Sequence, residues 1–114
     1  MSGSDPLLRY ICQHCLIAAL TSSRLQPATG PSFLVASALA REMKLAVVYG
    51  FGEQAEGMVY NSVNLIRPDG SLGLTYRKAH LWGADEKGTF TAGKCLGPVV
   101  ELCGWKVGAL ICCT

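Results

Sequence analysis

The sequence predicts an α/β layer fold on the basis of three stretches of the chain. Residues 32–44 carry apolar side chains at helical spacing, and residues 45–51 form a short apolar run that includes one glycine. Residues 58–77 contain two extended runs separated by Pro-Asp-Gly. A helix followed by a buried strand and a hairpin is typical of folds in which helices cover a sheet. With 114 residues, the chain is expected to form at most one domain.

The composition argues against several classes of protein. Half of the residues are hydrophobic and 16% are charged, which favours a packed core over disorder. The net charge of +2 comes without a run of Lys or Arg, so no nucleic-acid partner is expected. The apolar run at residues 11–20 is about half of a bilayer span, and Arg9 alone makes a poor signal-peptide start. We therefore expect no membrane segment.

The six cysteines predict free thiols rather than a disulfide framework. Cys103 and Cys112 fall in apolar runs, and Cys112 and Cys113 are adjacent, an arrangement that disulfide geometry disfavours. Free thiols are typical of the reducing cytosol, so a cytoplasmic location is expected. Cys12 and Cys15 resemble half of a zinc site, but four ligands are needed and no second pair follows. We expect no metal.

The N-terminal part of the chain is predicted to be a short helix followed by a loop. Residues 7–20 are apolar, with Asp5 as a candidate N-cap and Pro6 at the first helical position. Residues 21–31 are rich in Ser, Thr, Gly and Pro, which is typical of a loop. Ser32 is the expected cap of the helix that follows.

The remainder of the chain predicts strands and one long loop. Gly50 and Gly52 mimic a dinucleotide fingerprint, but residues 53–57 predict a turn where that fingerprint requires a helix. The hairpin is expected to use strands 58–67 and 71–77 around the Pro68-Asp-Gly turn, because Pro presets φ and Gly tolerates positive φ. A long Gly-rich loop at 79–95 and a last strand pair, 98–102 with 106–111, complete the chain.

Two residues have the chemistry of an amide-cleaving site. Lys78 lies where a predicted strand runs into the long loop, and Cys112 lies at the end of an apolar strand. A cysteine can act as a nucleophile and a lysine can stabilise an oxyanion. Each also has a plainer interpretation, since a strand-end lysine is commonly solvated and a cysteine in an apolar run is commonly a buried structural thiol.

Several short motifs, in order and spacing, resemble the nitrilase-like carbon–nitrogen hydrolases. They are Val-Tyr-Gly-Phe-Gly-Glu at 48–53, Tyr-Asn-Ser at 60–62, Pro-Asp-Gly at 68–70, Tyr-Arg-Lys-Ala-His-Leu at 76–81, Glu86, Phe-Thr-Ala-Gly at 90–93 and Val-Gly-Ala-Leu-Ile-Cys at 107–112. The resemblance implies a divergent N-terminal segment at residues 1–29 and a partial hydrolase domain at 30–114. The implied fold is the N-terminal half of an αββα sandwich.

The resemblance also implies a reaction and a set of site residues. Lys78 matches the family's catalytic lysine and Cys112 its nucleophile, while Glu86 matches an additional glutamate that positions substrate or lysine. The backbone N–H of Cys113 matches the family's oxyanion donor. The implied substrate is a small amide, nitrile or carbamoyl compound, with no cofactor, and the family commonly forms homo-oligomers.

Three departures from the family pattern favour an alternative, a truncated and catalytically inactive fragment that pairs at most with a full-length relative. Residues 1–31 contain no glutamate, whereas the family's general base lies there, at the end of a strand in Pro-Glu. Cys113 and Thr114 replace the usual Tyr-Asp, and the second half of the sandwich is absent. Glu53, Glu101 and His80 are the weaker candidates for a substitute base.

Overall fold

The computed structural model describes residues 8–12, 15–81, 83–94, 98–102, 104–109 and 111. Within them the elements are β1 (Leu8–Cys12), β2 (Cys15–Gln26), α1 (Pro31–Met43), β3 (Ala46–Ala55), β4 (Met58–Ile66), β5 (Leu72–Arg77), α2 (Gly83–Thr89), β6 (Val100–Leu102) and β7 (Trp105–Val107). The predicted α/β class is confirmed.

The strands form a five-stranded sheet and a separate two-stranded sheet. The large sheet has the order β1-β2-β3-β4-β5, so each strand lies beside the next one in the chain. The β2–β3 pair is parallel, with α1 in the connection between the two strands, and the other neighbours are antiparallel. β6 and β7 form an antiparallel hairpin of their own.

The large sheet is covered on both faces, because successive side chains of a strand point to opposite sides. On the first face, α1 packs through Ala36 and Ala40 against a cluster that includes Val47, Tyr49 and Phe51 of β3. On the second face, Leu102 of β6 joins a cluster of sheet residues comprising Ala46, Leu65, Leu74 and Tyr76. The fold therefore has three layers, namely helix, sheet and hairpin, and the two faces have separate cores.

Asn64 organises a buried polar network on the helix-covered face. Its side-chain amide donates to the carbonyl of Ala28 and to the hydroxyl of Tyr49, both at 2.8 Å, and it accepts from Thr75 Oγ1 at 2.6 Å. Burial raises the pKa of Tyr49, and the hydrogen bond from Asn64 acts in the opposite direction. The network ties the β2–α1 connection to the middle of the sheet, and its partners satisfy a side chain that is fully buried.

The helix predicted at 32–44 is confirmed to within one residue at each end, but its predicted cap is wrong. Gly30 is the N-cap, Pro31 is the first helical residue, and Ser32 lies inside the first turn. The side chain of Gln26 acts instead, because its Oε1 accepts from the Ser32 N–H at 2.7 Å and its Nε2 donates to Ser32 Oγ at 2.8 Å. The Ser32 N–H, in the first turn of the helix, is thus satisfied by a side chain at the end of β2.

The helix predicted at 7–20 is wrong where the structure describes these residues, which form β1 and the first part of β2. The loop predicted at 21–31 is confirmed only at residues 27–30, because β2 continues to Gln26 and α1 begins at Pro31. A short apolar run does not distinguish a buried helix from a buried strand by its periodicity. The choice is made by β3, which pairs with β2 over Ile17–Thr21 and again at Leu25 and Gln26. Asp5 and Pro6, the predicted helix start, lie outside the described residues.

The hairpin prediction is confirmed. β4 and β5 pair antiparallel around the Pro68-Asp-Gly turn, and Gly70 has a φ of 90°. The Gly70 N–H donates to the Arg67 carbonyl at 2.8 Å, which closes the turn. Asp69 accepts hydrogen bonds from the N–H and the hydroxyl of Ser71, which lower its pKa.

Three predictions for the later segments need correction. The turn predicted at 53–57 is narrower, because β3 continues to Ala55 and residues 56 and 57 alone make the turn into β4. The loop predicted at 79–95 contains α2. The last strand pair is confirmed but shorter, with β7 ending at Val107, and it forms the separate two-stranded sheet.

In the described part of the chain, neither helix is long and apolar enough to cross a membrane.

Candidate active site

Lys78 occupies a firmly held position at the end of β5. Its backbone N–H donates to the Asn61 carbonyl at 2.8 Å, which extends the β4–β5 ladder by one residue. Its carbonyl accepts from the Gly93 N–H at 2.9 Å. The hydroxyl of Tyr76 accepts from the Ala79 N–H at 3.3 Å and secures the residue that follows. The backbone of Lys78 is therefore fixed from the strand on one side and from the 90–94 segment on the other.

The side chain of Lys78 is buried and forms an ion pair. Lys78 is 3% exposed, and its Nζ lies 2.7 Å from Oε1 of Glu86. Glu86 lies on α2, so the segment predicted as a loop supplies this carboxylate from a helix. Oε1 of Glu86 is itself buried, so both charged atoms of this ion pair are removed from solvent. The pairing of these two predicted site residues could not be deduced from their spacing.

The segment after α2 is held against the sheet by two backbone hydrogen bonds. The Thr91 N–H donates to the Val59 carbonyl at 2.6 Å, and the Gly93 N–H donates to the Lys78 carbonyl. A Cβ at position 93 would collide with the backbone and the Cβ of Arg77, so this approach requires glycine. The close contact places the end of the 79–95 segment directly beside the strand end that carries Lys78.

Alternation along β5 directs Lys78 to the second face of the sheet, the face that also receives Tyr76. Ala109 and Ile111 pack against the cluster on that face. The predicted nucleophile Cys112 follows Ile111 directly in sequence. Cys112 and Cys113 lie outside the described residues.

The candidate substitute bases do not join Lys78. Glu53 is buried on the first face of the sheet, where Arg77 donates to its two oxygens at 2.9 Å each and Ser62 Oγ donates at 2.8 Å. Burial alone would raise the pKa of Glu53, but the hydrogen bonds from Arg77 and Ser62 and the Arg77 charge outweigh it and lower that pKa. Such a carboxylate is a weak proton acceptor. Glu101 and His80 are exposed to solvent.

The strand upstream of α1 ends in Gln26. The resemblance predicts a general base at the end of a strand in this region. The last side chain of β2 is an amide that holds the first turn of α1. An amide does not accept a proton at neutral pH, so Gln26 supplies no base.

Sequence reasoning missed the role of Arg77. Its guanidinium binds Glu53 through Nε and Nη2, and its Cζ lies 4.1 Å from the centre of the Tyr60 ring. The hydrogen bond to Glu53 raises the pKa of Arg77. The two partners are 24 residues apart, so local patterns carry no signal of the pair.

The glycine pair that mimics a dinucleotide fingerprint does not lead into a helix. Gly50 and Gly52 lie inside β3, which runs on into a hairpin rather than a helix. Cys12 and Cys15 are paired in the β1–β2 register, and their side chains lie outside the described part of the structure.

A family model described as "Carbon-nitrogen hydrolase" matches residues 12–113. The chain belongs to the carbon–nitrogen hydrolase family. The resemblance in the motifs is thereby confirmed, and the match covers most of the chain. The division at residue 30 remains a prediction.

Two described proteins are similar to this chain over about three quarters of its length. A protein described as a hydrolase in the pqqF 5′ region of Pseudomonas protegens is 43% identical over 84 residues, covering 73% of this chain and 30% of that protein. An (R)-stereoselective amidase from a Pseudomonas species is 38% identical over 87 residues, covering 76% and 31%. The chain therefore spans about a third of the length of these relatives.

A solved structure supports the fold of this carbon–nitrogen hydrolase chain. It is a mutant of the amidase from Nesterenkonia sp. AN1, captured after Michael addition of acrylamide at the active-site cysteine. The TM-score is 0.65 at 23% identity, covering 71% of this chain and 32% of that one. The predicted partial fold is confirmed, because the three-layer arrangement matches about a third of an amidase of this fold.

Proposed function

We propose that the chain is a hydrolase of non-peptide carbon–nitrogen bonds with Cys112 as nucleophile, Lys78 as oxyanion stabiliser and Glu86 as the residue that positions Lys78. The observation that carries the proposal is the buried ion pair between Lys78 and Glu86. A lysine with 3% exposure at the end of a strand is not the solvated lysine of the plainer interpretation.

The proposed reaction forms and breaks one covalent bond to the cysteine. The Cys112 thiolate attacks the amide carbon, and the carbonyl electron pair moves to oxygen to give a tetrahedral oxyanion. The intermediate expels the amine, which takes up the proton that the thiol released, and a thioester remains. Water then attacks the thioester, releasing the acid and restoring the thiol. The sum is one amide and one water giving one acid and one amine.

Lys78 supplies the electrostatic part of this scheme. An ammonium group has three N–H donors, and the ion pair with Glu86 leaves donors for a developing oxyanion. A charge held in place in a buried site stabilises a transition state without reorganisation, and loss of one oxyanion donor commonly costs about 10²–10³ in rate. Glu86 offsets the cost of burying the ammonium of Lys78. It also directs that ammonium, because backbone hydrogen bonds hold both the strand end at Lys78 and the segment that follows α2.

The proposed substrate is a small linear amide, nitrile or carbamoyl compound. The similarity to an (R)-stereoselective amidase and to the fold of a Nesterenkonia amidase supports the amide as the first choice. No cofactor enters the reaction, since nucleophile, cation and water are sufficient to balance it. A homo-oligomer and a cytoplasmic location remain predictions, and sedimentation of the purified chain measures the first.

The test is release of ammonia from short aliphatic amides, the matching nitriles and N-carbamoyl compounds. We expect C112A to abolish turnover and K78M to lower it by about 10²–10³. The matched control is Cys95→Ala, which removes a thiol that has no role in the proposed reaction and should retain the parent rate. Hydrolysis that C112A leaves unchanged would show that the proposed nucleophile is wrong.

A second candidate is an inactive partial domain, and it rests on where the carboxylates that could act as general base lie. Residues 1–31 contain no glutamate, β2 ends in Gln26, and Glu53 is committed to Arg77. No carboxylate other than Glu86 is paired with Lys78 among the described residues. The same assay decides, because a folded chain that turns over no amide, nitrile or carbamoyl compound supports this candidate.

A further inference from the structure

The side chains of Glu53 and Arg77 pair on the face of the sheet opposite to Lys78. Arg77 directly precedes Lys78 in the sequence. Glu53 is on β3, Ser62 on β4 and Arg77 on β5, so the hydrogen bonds of one buried carboxylate connect three adjacent strands. They do so at the level where the β4–β5 ladder ends, because Ser62 and Arg77 are the last pair of that register.

The geometry restrains Arg77 more tightly than a single hydrogen bond would. Nε and Nη2 bind the two oxygens of Glu53 at 2.9 Å each, and the guanidinium also stacks on Tyr60. A planar guanidinium held at two points and on one face has little freedom to rotate. The guanidinium of Arg77 is thereby held, although this side chain is 35% exposed and lies at the end of β5.

The pair joins a buried carboxylate, 3% exposed, to a guanidinium side chain that is 35% exposed. A two-point contact between a guanidinium and a carboxylate fixes geometry as well as adding energy. The residue that benefits is Lys78, since it shares a peptide bond with Arg77 and has to bring Nζ to within 2.7 Å of Glu86 on a different element.

We infer that Glu53 and Arg77 form a positioning pair that sets the direction of Lys78 through the 77–78 peptide. The inference rests on the proposed function, because that function gives Lys78 its importance. The experiment that tests the inference needs no catalytic activity. With the pair intact, the Lys78 backbone is held between Asn61 and Gly93 and its side chain stays buried against Glu86. Without the carboxylate, the end of β5 loosens and Lys78 becomes accessible.

The experiment is competitive trace acetylation of the 114-residue chain with acetic anhydride, read by peptide mass spectrometry. The ratio of labelling at Lys78 to labelling at the exposed Lys44 is compared between variants, which needs no turnover. We expect Glu53→Gln and Arg77→Lys each to raise this ratio by roughly tenfold, because access to a buried amine follows local opening. Arg77→Lys keeps the charge but loses the two-point contact.

The matched control is Thr75→Val on the same face of β5. It removes the hydrogen bond to Asn64 and destabilises the sheet without touching the pair, so its ratio should stay within about twofold of the parent. The inference is overturned if Glu53→Gln leaves the labelling ratio within twofold of the parent. It is also overturned if Thr75→Val raises the ratio as much as Glu53→Gln does. If both pair variants fail to fold, the pair serves folding and the inference is also overturned.

The labelling experiment and the test of the proposed function can fail independently of each other. An unchanged hydrolysis rate in C112A would remove the proposed mechanism and leave the labelling result intact. Where the parent chain turns over, Glu53→Gln should lower kcat more than it changes KM, since Lys78 acts on the oxyanion rather than on the bound amide.

Discussion

Gly93 and Lys78 are joined backbone to backbone, the N–H of Gly93 donating to the carbonyl of Lys78 at 2.9 Å. The two residues are 15 positions apart in sequence, and α2 with its Glu86 lies between them. The contact closes the segment that carries Glu86 back onto the strand that carries Lys78. The Lys78–Glu86 ion pair of the candidate site therefore depends on the absence of a side chain at position 93.

Gly93→Ala should destabilise the fold and disturb the Lys78–Glu86 pair. The added Cβ meets the carbonyl and the Cβ of Arg77, and the backbone has to move to admit it. Overpacking of this kind commonly costs about 1–3 kcal/mol. Urea unfolding of the two proteins measures the difference in the free energy of unfolding.

The control for this change is Gly88→Ala on α2, where a Cβ meets nothing within 4 Å. Alanine is a better helix former than glycine, so this variant should be as stable as the parent or gain up to about 1 kcal/mol. Equal stability of Gly93→Ala and Gly88→Ala would contradict the close approach at position 93.

Glu86→Gln should cost more stability than an exposed charge change on the same helix. It leaves the buried ammonium of Lys78 without its counter-charge, and breaking a buried pair from one side commonly costs about 3 kcal/mol or more. Lys87→Met, on the exposed side of α2, should change stability by no more than about 0.5 kcal/mol.

A double variant separates the charge effect from lost packing. Lys78→Met combined with Glu86→Leu removes both charges and should recover most of the loss seen in Glu86→Gln, because neither site then holds an unpaired ion. The pairwise coupling follows from chemical denaturation of the single and double variants. Simple additivity would indicate that the two side chains do not interact in solution.

Glu53 should make the stability of the chain fall in acid. Its pKa in the folded state is lowered from the ordinary 4.5, so the folded state binds its proton less readily than the unfolded state does. The resulting stabilisation is fully present above about pH 4.5 and is lost as the pH falls through the folded-state pKa.

Glu53→Gln removes this titration, so the stability gap between parent and variant should narrow steadily below about pH 4.5. Unfolding midpoints in denaturant at several pH values measure the gap. Glu101→Gln, an exposed change on β6, should keep the parent's pH profile. A gap of constant size down to pH 3 would mean that folding does not lower the pKa of Glu53.

Cys112 should react with iodoacetamide faster than the other five thiols at neutral pH, as located by peptide mapping. A nearby ammonium favours the thiolate, which is the reactive form, and the proposal places Lys78 in that role. K78M should remove the selectivity. Equal labelling of all six cysteines would contradict a formed site and favour the inactive partial domain.

The sequence was sufficient for features whose signals are local. The Pro-Asp-Gly turn at 68–70 imposes its own backbone angles, and the hairpin around it was predicted nearly to the residue. Lys78 was predicted at a strand end because the alternating pattern of β5 stops there. The helix at 31–43 followed from its apolar spacing.

Features that depend on distant partners were not predictable in this way. Residues 15–26 have no helix or strand signal strong enough to decide alone, and pairing with β3 makes them a strand. Ser32 looked like a helix cap, but Gln26 performs that role from the preceding strand. Glu53 was expected in a turn and is instead buried against Arg77.

The sequence by itself determined the hairpin, because its turn signal is local, and the order of its motifs carried the family resemblance, which implied Lys78 and Glu86 as site candidates. Only the tertiary structure decided that Lys78 is buried, that α2 brings Glu86 to it, and that Glu53 is committed to the opposite face. The physical reason is that burial and ion pairing depend on which strands become neighbours. That choice is made by the sum of contacts over the whole sheet rather than by any one segment.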